Sequence, residues 1–211
     1  MAGAAGEVPL NKLGGYFGNI ANSLRGLDFR EPLKSVKLVL IRETKQNFSR
    51  AASPDGAAWK PILGMRPRGG DRPLRDRGLL MASVTSNAQG TIERISSSEL
   101  TWGTNLEYAA IHQFGGVIRP KRGKYLAIPV TREAYRAGSP RNFGKPLSFR
   151  IGPRGGVMIE KRARSEVVHY ILTKQSVIPA RPFLGLNEAI LSKSEDILRK
   201  WLVQRMGFGP V

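Results

Sequence analysis

The chain has 211 residues, 41% of them hydrophobic, with a formal net charge of +18 and a sequence pI near 10.9. That much apolar material excludes wholesale disorder, and the length suits one generous domain or a domain with a large excursion. There is no cysteine, which excludes disulfides, thiolate metal sites and a cysteine nucleophile together.

Residues 1–28 read as an N-terminal segment, with a short glycine-rich helix expected at about 12–24. The opening residues lack a basic stretch followed by an apolar one, and the longest aliphatic run is VKLVLI at 36–41. Neither a secretory leader nor a membrane span is expected, and the reading is of a soluble intracellular product without a membrane partner.

A long helix is expected over Asp28–Phe48. Asp28 is its cap, Glu31 completes an acidic capping box, and Pro32 falls in the first turn, where a missing N–H is harmless. Leu33, Val36, Leu40 and Phe48 recur on one face, widened by Val39 and Ile41. Ser53-Pro54-Asp55-Gly56 then makes a turn, and KPILGMRPRGGDRP after Trp59 is a loop. LRDRGLLMASV (74–84) reads as a short helix with a weak point at Gly78, and Thr91–Ser96 with Leu100–Trp102 as a hairpin. Thr104 and Glu107 form a T-x-x-E capping box opening a helix that Gly115 and Gly116 stop.

From residue 117 the character changes. Between Val117 and Arg164 there are thirteen Lys and Arg against two acids, Glu133 and Glu160. YLAIPV (125–130), LSFRI (147–151) and VMIEK (157–161) have strand composition, with GPRGG as the turn between the last two. Residues 117–165 are expected to be an inserted basic β-arm, with TREAYRAGSPRNFGKP a turn-rich link. VVHYILT (167–173) alternates like a half-buried strand returning to the core. IPARPFLGL (178–186) carries two prolines and suits neither a helix nor a central strand. Asn187 caps a last helix whose stripe is Ile190, Leu191, Ser194, Ile197, Leu198, Trp201 and Leu202, with Gly207 as its stop.

Chemistry is hard to find. His112 and His169 are the only histidines, no G-x-S-x-G elbow is present, and no carboxylates stand at metal-ligand spacing to either. Gly138–Lys145 only superficially resembles a phosphate loop: five residues separate its glycines, and Pro146 follows the lysine. No cofactor, metal or catalytic residue is expected. The basic excursion is the better candidate. Arg119, Lys121, Arg122, Lys124, Arg132, Arg136, Arg141 and Lys145 interleave with Tyr125, Tyr135 and Phe143, and such an arm suits either nucleic-acid phosphates or an acidic protein neighbour.

Several segments taken in order resemble one family. PDGAAWKPI (54–62) and LRDRGLLMASV (74–84) are followed by WGTNLEYAAIHQFGG (102–116) and IPARPFLGL (178–186). Together they look like the virion morphogenesis, or tail-completion, proteins of Mu-like tailed phages. The resemblance covers roughly 29–116 and 166–205, with 117–165 as an enlarged middle. It implies a non-enzymatic neck protein that finishes the tail and joins it to the head, forming a homo-oligomeric ring, sixfold by preference. The expected partners are other copies, the tail tube, head-completion proteins and genomic DNA in the lumen. The implied location is the virion, after assembly in the bacterial cytoplasm. The implied fold is α+β: a small mixed or antiparallel sheet flanked by long N- and C-terminal helices, in one domain of 29–116 and 166–207. Trp59, Trp102, Tyr108, His112, Phe114, Gly115, Arg181, Pro182 and Phe183 match the motif positions as core or interface anchors, with Arg181 expected to pair with a carboxylate or backbone carbonyls.

Overall fold

The computed structural model describes residues 26–62, 72–153 and 155–206. The expected helix at 12–24, residues 63–71 of the loop and the Gly207 stop lie outside these residues.

The first helix, α1 (Arg30–Arg50), begins later than its capping signal implies. Phe29 is held in place, its N–H donating to Ser97 O at 2.8 Å and its ring 5.1 Å from that of Trp201. Asp28 accepts from the Arg30 N–H at 3.0 Å, while Glu31 turns outward to Lys34 at 2.7 Å rather than closing a box. Pro32, Val36, Thr44 and Phe48 are the buried positions. The helix ends on Ala51 in the left-handed region, φ 52° and ψ 48°. A β-carbon there meets the following carbonyl, so Ala51→Gly is expected to raise stability by about 0.5–1 kcal/mol in urea unfolding.

After Ala51 the PDGAAW segment folds back. Trp59 N–H donates to Ala51 O at 2.7 Å, and Ser53 N–H to Ala57 O at 2.8 Å. The second helix, α2 (Leu79–Thr85), is shorter than the expected 74–84. Gly78 is not a weak point inside it but its first flanking residue, at φ 77°, and Leu74 before it also has positive φ. These conformations end any helix on their N-terminal side.

Strands β1 (Thr91–Ile95) and β2 (Leu100–Thr104) form the expected hairpin, with Thr91 opposite Thr104. That pairing keeps Thr104 in the sheet. Its hydroxyl accepts from Leu106 N–H at 3.3 Å, the capping box does not form, and α3 is the short Ala109–Phe114. Gly115 stops α3 as expected, at φ 73°. β3 (Gly116–Ile118) follows and pairs with β8 (Ser176–Ile178).

Between them lies an antiparallel four-stranded sheet in the order β4-β7-β6-β5, from β4 (Leu126–Pro129), β5 (Ser148–Gly152), β6 (Gly155–Arg162) and β7 (Ser165–Thr173). The expected strands are present, but they do not form an extended arm. β7, read as returning to the main core, is an inner strand of this sheet, paired on both sides. The link read as turn-rich contains α4 (Arg132–Ala137) and a 3-10 turn at Pro140–Asn142. Thr131 caps α4 by accepting from Ala134 N–H at 3.2 Å. Ala134 and Phe143 then pack on Met158, Tyr170 and Leu172 as a second core.

The last helix, α5 (Glu188–Met206), starts where Asn187 Oδ1 accepts from Ile190 N–H at 2.9 Å. α5 packs along α1, tied by Lys193 to Glu43 at 2.6 Å. Ile190 is buried and most of the expected stripe is half-buried, but Leu191 is exposed. The fold is α+β. The long helices pack on each other, while the four-stranded sheet is covered on one face by α4. Among the described residues no helix is long and apolar enough to cross a membrane.

Candidate assembly surfaces

The motif residues converge on the stretch 179–186, which crosses the main core without regular structure. Its backbone polar groups therefore need partners from elsewhere. Arg181, 6% exposed, donates from Nε to Lys60 O at 2.8 Å and from Nη2 to Pro61 O at 3.0 Å, and its N–H donates to His112 O at 2.8 Å. Backbone carbonyls, one of the two kinds of partner expected for it, are thus among its contacts. Trp59 Nε1–H donates to Pro182 O at 2.9 Å. The side-chain amide of Gln113 binds both ways: Oε1 accepts from Phe183 and Leu184 N–H at 3.0 and 3.1 Å, and Nε2 donates to Leu184 O at 2.7 Å. Phe183 fills the space beneath, its ring 5.7 Å from Phe48, which meets Trp59 edge-on at 5.5 Å.

Gln113 and Phe48 belong to this latch and were not singled out as site residues. Gln113 had a sequence signal, a polar side chain beside His112 in the mostly apolar run Y-A-A-I-H-Q-F. The remaining motif aromatics divide. Trp102 is half-buried against the core, while Tyr108 is partly exposed and Phe114 is 78% exposed. His112 is a latch residue beside Tyr108, at 6.1 Å between rings, and supplies a carbonyl to Arg181.

Next to the latch runs an apolar groove of about 1120 Å³ between the two parts of the molecule. One wall carries Leu79, Tyr108 and His112; the other is the β4–β7 part of the uncovered sheet face and the β8 strand. Cross-strand register explains the second wall. Ile128, Ile171 and Val157 lie opposite one another across β4, β7 and β6, so their side chains share a face, while Tyr170 and Met158 share the face under α4. Ile128, Ile171, Leu79 and Val177 are all exposed large aliphatics. Tyr135 O–H donates to Asp76 Oδ2 at 2.7 Å, linking α4 to the segment before α2.

Glu133 and Glu160, the only acids in the expected arm, both meet His169, which is 1% exposed. Three side chains of metal-ligand type thus gather within 4.8 Å although no sequence spacing suggested it. Cations of the chain already stand there: Lys145 Nζ lies 3.3 Å from Glu133 and 3.2 Å from Glu160, and Arg162 is 2.9 Å from Glu160. His169 Nε2 is 3.0 Å from Glu160, and Nδ1 is 2.7 Å from the Thr131 hydroxyl. With Thr131 donating to Nδ1 and Nε2–H donating to Glu160, a neutral ring satisfies every group. Thr131 resembles a nucleophile in this chain of contacts, but its oxygen caps α4 and the histidine is sealed from solvent.

The hydrogen bond from Arg162, then that from His169, holds the Glu160 carboxyl down at about 2 from an ordinary 4.5, against the opposing effect of burial. A depressed carboxylate stabilises the fold fully above its unfolded value, and that contribution disappears as pH falls towards the folded value. The melting-temperature gap between wild type and Glu160→Gln is therefore expected to be widest near neutrality and to narrow as pH drops from about 5 towards 2.

Residues 9–203 match the model of the phage virion morphogenesis family. The chain belongs to that family. It is similar to the Mu-like prophage FluMu G protein 2 of Haemophilus influenzae, 40% identical over 102 residues. That match takes in 48% of this chain and 62% of the relative, so the chain spans less than two thirds of the relative's length. No solved structure matches the chain.

In this virion protein the basic residues are unevenly used. Lys145 is engaged by the internal carboxylates. Among the described residues, Arg119, Lys121, Arg122, Lys124, Arg132, Arg136 and Arg141 make no ion pair and are exposed. They lie on the β3–β4 loop, on α4 and in the 3-10 turn after it.

Proposed function

We propose that this virion protein is a tail-completion subunit of the phage neck, assembling as a homo-oligomeric ring, sixfold by preference, at the head-proximal end of the tail. Its role is structural and non-enzymatic, assembly takes place in the host cytoplasm, and the tail tube and head-completion proteins are its neighbours. The apolar groove carries this reading. Wide apolar surface on a strongly charged protein is where a partner binds, and a ring uses two different patches that close by rotation. Family membership supplies the virion context. A reconstruction of the virion tests it: density for this chain is expected as a ring between tail tube and head. Density elsewhere, or none, would sink the proposal.

A second reading rests on the seven cations without ion pairs: contact with DNA phosphates without sequence preference. Each neutralised phosphate releases counterions, so the logarithm of affinity falls with the logarithm of salt at about −0.9 per contact. If all seven engage duplex DNA, the slope is expected near −6, measured by fluorescence anisotropy. A slope near zero would leave these residues to an acidic protein neighbour.

A further inference from the structure

We propose that the groove is filled by the N-terminal segment of a neighbouring copy, laid in through Leu10, Leu13, Phe17, Ile20 and Leu24. This rests on the reading of the chain as a ring-forming subunit and names the contact that closes the ring.

These five residues are spaced 3-4-3-4, the spacing that places apolar side chains in a single seam. Residues 8–24 carry only one charge, Lys12. Copies bearing +18 each repel, and a nearly neutral segment is the part of the chain best suited to bring two of them together. The family match begins at residue 9, so the stripe belongs to the shared unit. At about 1120 Å³ the groove exceeds the roughly 300–1,000 Å³ of ordinary small-molecule pockets, and its lining is largely aliphatic.

Reach favours the neighbour's groove for the full stripe. Phe29 is fixed on Ser97 and Trp201 at the start of α1. The groove lies by the other end, where its lining residues Leu74 and Leu80 pack with Phe48. α1 has 21 residues, about 30 Å at 1.5 Å per residue. Leu24 stands five residues before Phe29 and reaches about 17 Å when fully extended. Leu24 therefore stops short of its own groove, which only the earlier residues of the stripe can reach, whereas a neighbour's groove can receive all five. The stretch of sequence between the groove-lining Ile62 and Leu74 has only Leu63 and Met65 as large apolar residues over 63–71, with two arginines and an aspartate. It is poorly matched to an aliphatic lining.

The absence of native cysteine makes the test clean. Two single-cysteine proteins, Phe17→Cys and Val177→Cys, are mixed and oxidised, so that only contact between chains can cross-link them unlike-to-unlike. Val177 is 64% exposed, and circular dichroism checks that the fold is kept. The control pairs Phe17→Cys with Leu38→Cys, on an exposed face of α1. At least tenfold more mixed dimer than the control is expected, and light scattering on the same samples reports ring mass. Ring mass without excess cross-linking overturns the proposal and leaves the ring reading standing. Monomer mass without cross-linking overturns both. A doubly substituted chain that forms its bond only within itself overturns the proposal in favour of the chain's own groove.

Discussion

Phe183→Ala is expected to lower the unfolding free energy by about 3–5 kcal/mol in urea denaturation, with the loss at the upper end. Phe183 is 1% exposed and packs against Phe48 and Trp59 in the main core. A large-to-small change costs the lost transfer energy and also the cavity left behind, less whatever the surroundings recover by collapsing. Collapse is restricted here. The Phe183 backbone is clamped by Gln113, and its neighbour Pro182 by Trp59. For a typical domain, stable by about 5–15 kcal/mol, such a loss removes a large share of the total. A measured loss below about 1 kcal/mol would mean that the latch is not packed as described.

Gly115→Ala is expected to cost about 2–5 kcal/mol, from two separable sources. At φ 73° and ψ 179° Gly115 occupies backbone space that side chains rarely enter. A β-carbon would also stand 2.7 Å from Ala180 N and 3.0 Å from Ile178 O, main-chain atoms that cannot swing away. Gly138→Ala separates the two effects, because Gly138 has φ 69° but nothing within 4 Å of an added β-carbon. At ψ −41° it too lies outside the space side chains favour, so that substitution should cost only the strain, about 1–3 kcal/mol. Equal losses at the two positions, read from thermal melts, would remove the close approach of 178–180 from the explanation. Gly115 is thus the point where the motif helix is pressed against the Pro-rich segment.

Much of the local structure was legible because its causes are local. Asn187 as a cap, the β1–β2 hairpin, the glycine stop at residue 115 and the strands around GPRGG follow from turn chemistry and periodicity within a few residues. Capping signals failed where tertiary contacts outweighed them. Asp28 lost its place because Phe29 is held by Ser97 and Trp201, and Thr104 lost its place because the hairpin keeps it in β2. A cap contributes about 1 kcal/mol, and such contacts easily exceed that.

The motif residues were recognisable as a set but not as a mechanism. Nothing in their spacing says that Gln113 would bind Phe183 and Leu184, or that Arg181 would find Lys60 and Pro61. These bonds join residues about 70 and 120 positions apart. The same limit hid the Glu133–Glu160–His169 cluster, whose members come from α4, β6 and β7.

The sequence by itself determined the charge, the absence of thiol chemistry, the α+β class and the family resemblance. Each of these is carried by composition or by runs short enough to read in place. Only the tertiary structure decided that the basic excursion is a packed sheet with its own core, that Lys145 pairs with Glu133 and Glu160, and that an aliphatic sheet face is left open beside the latch. The physical reason is strand pairing: which face of β7 is covered depends on partners from β4 and β6, and a one-residue change of register would reverse it.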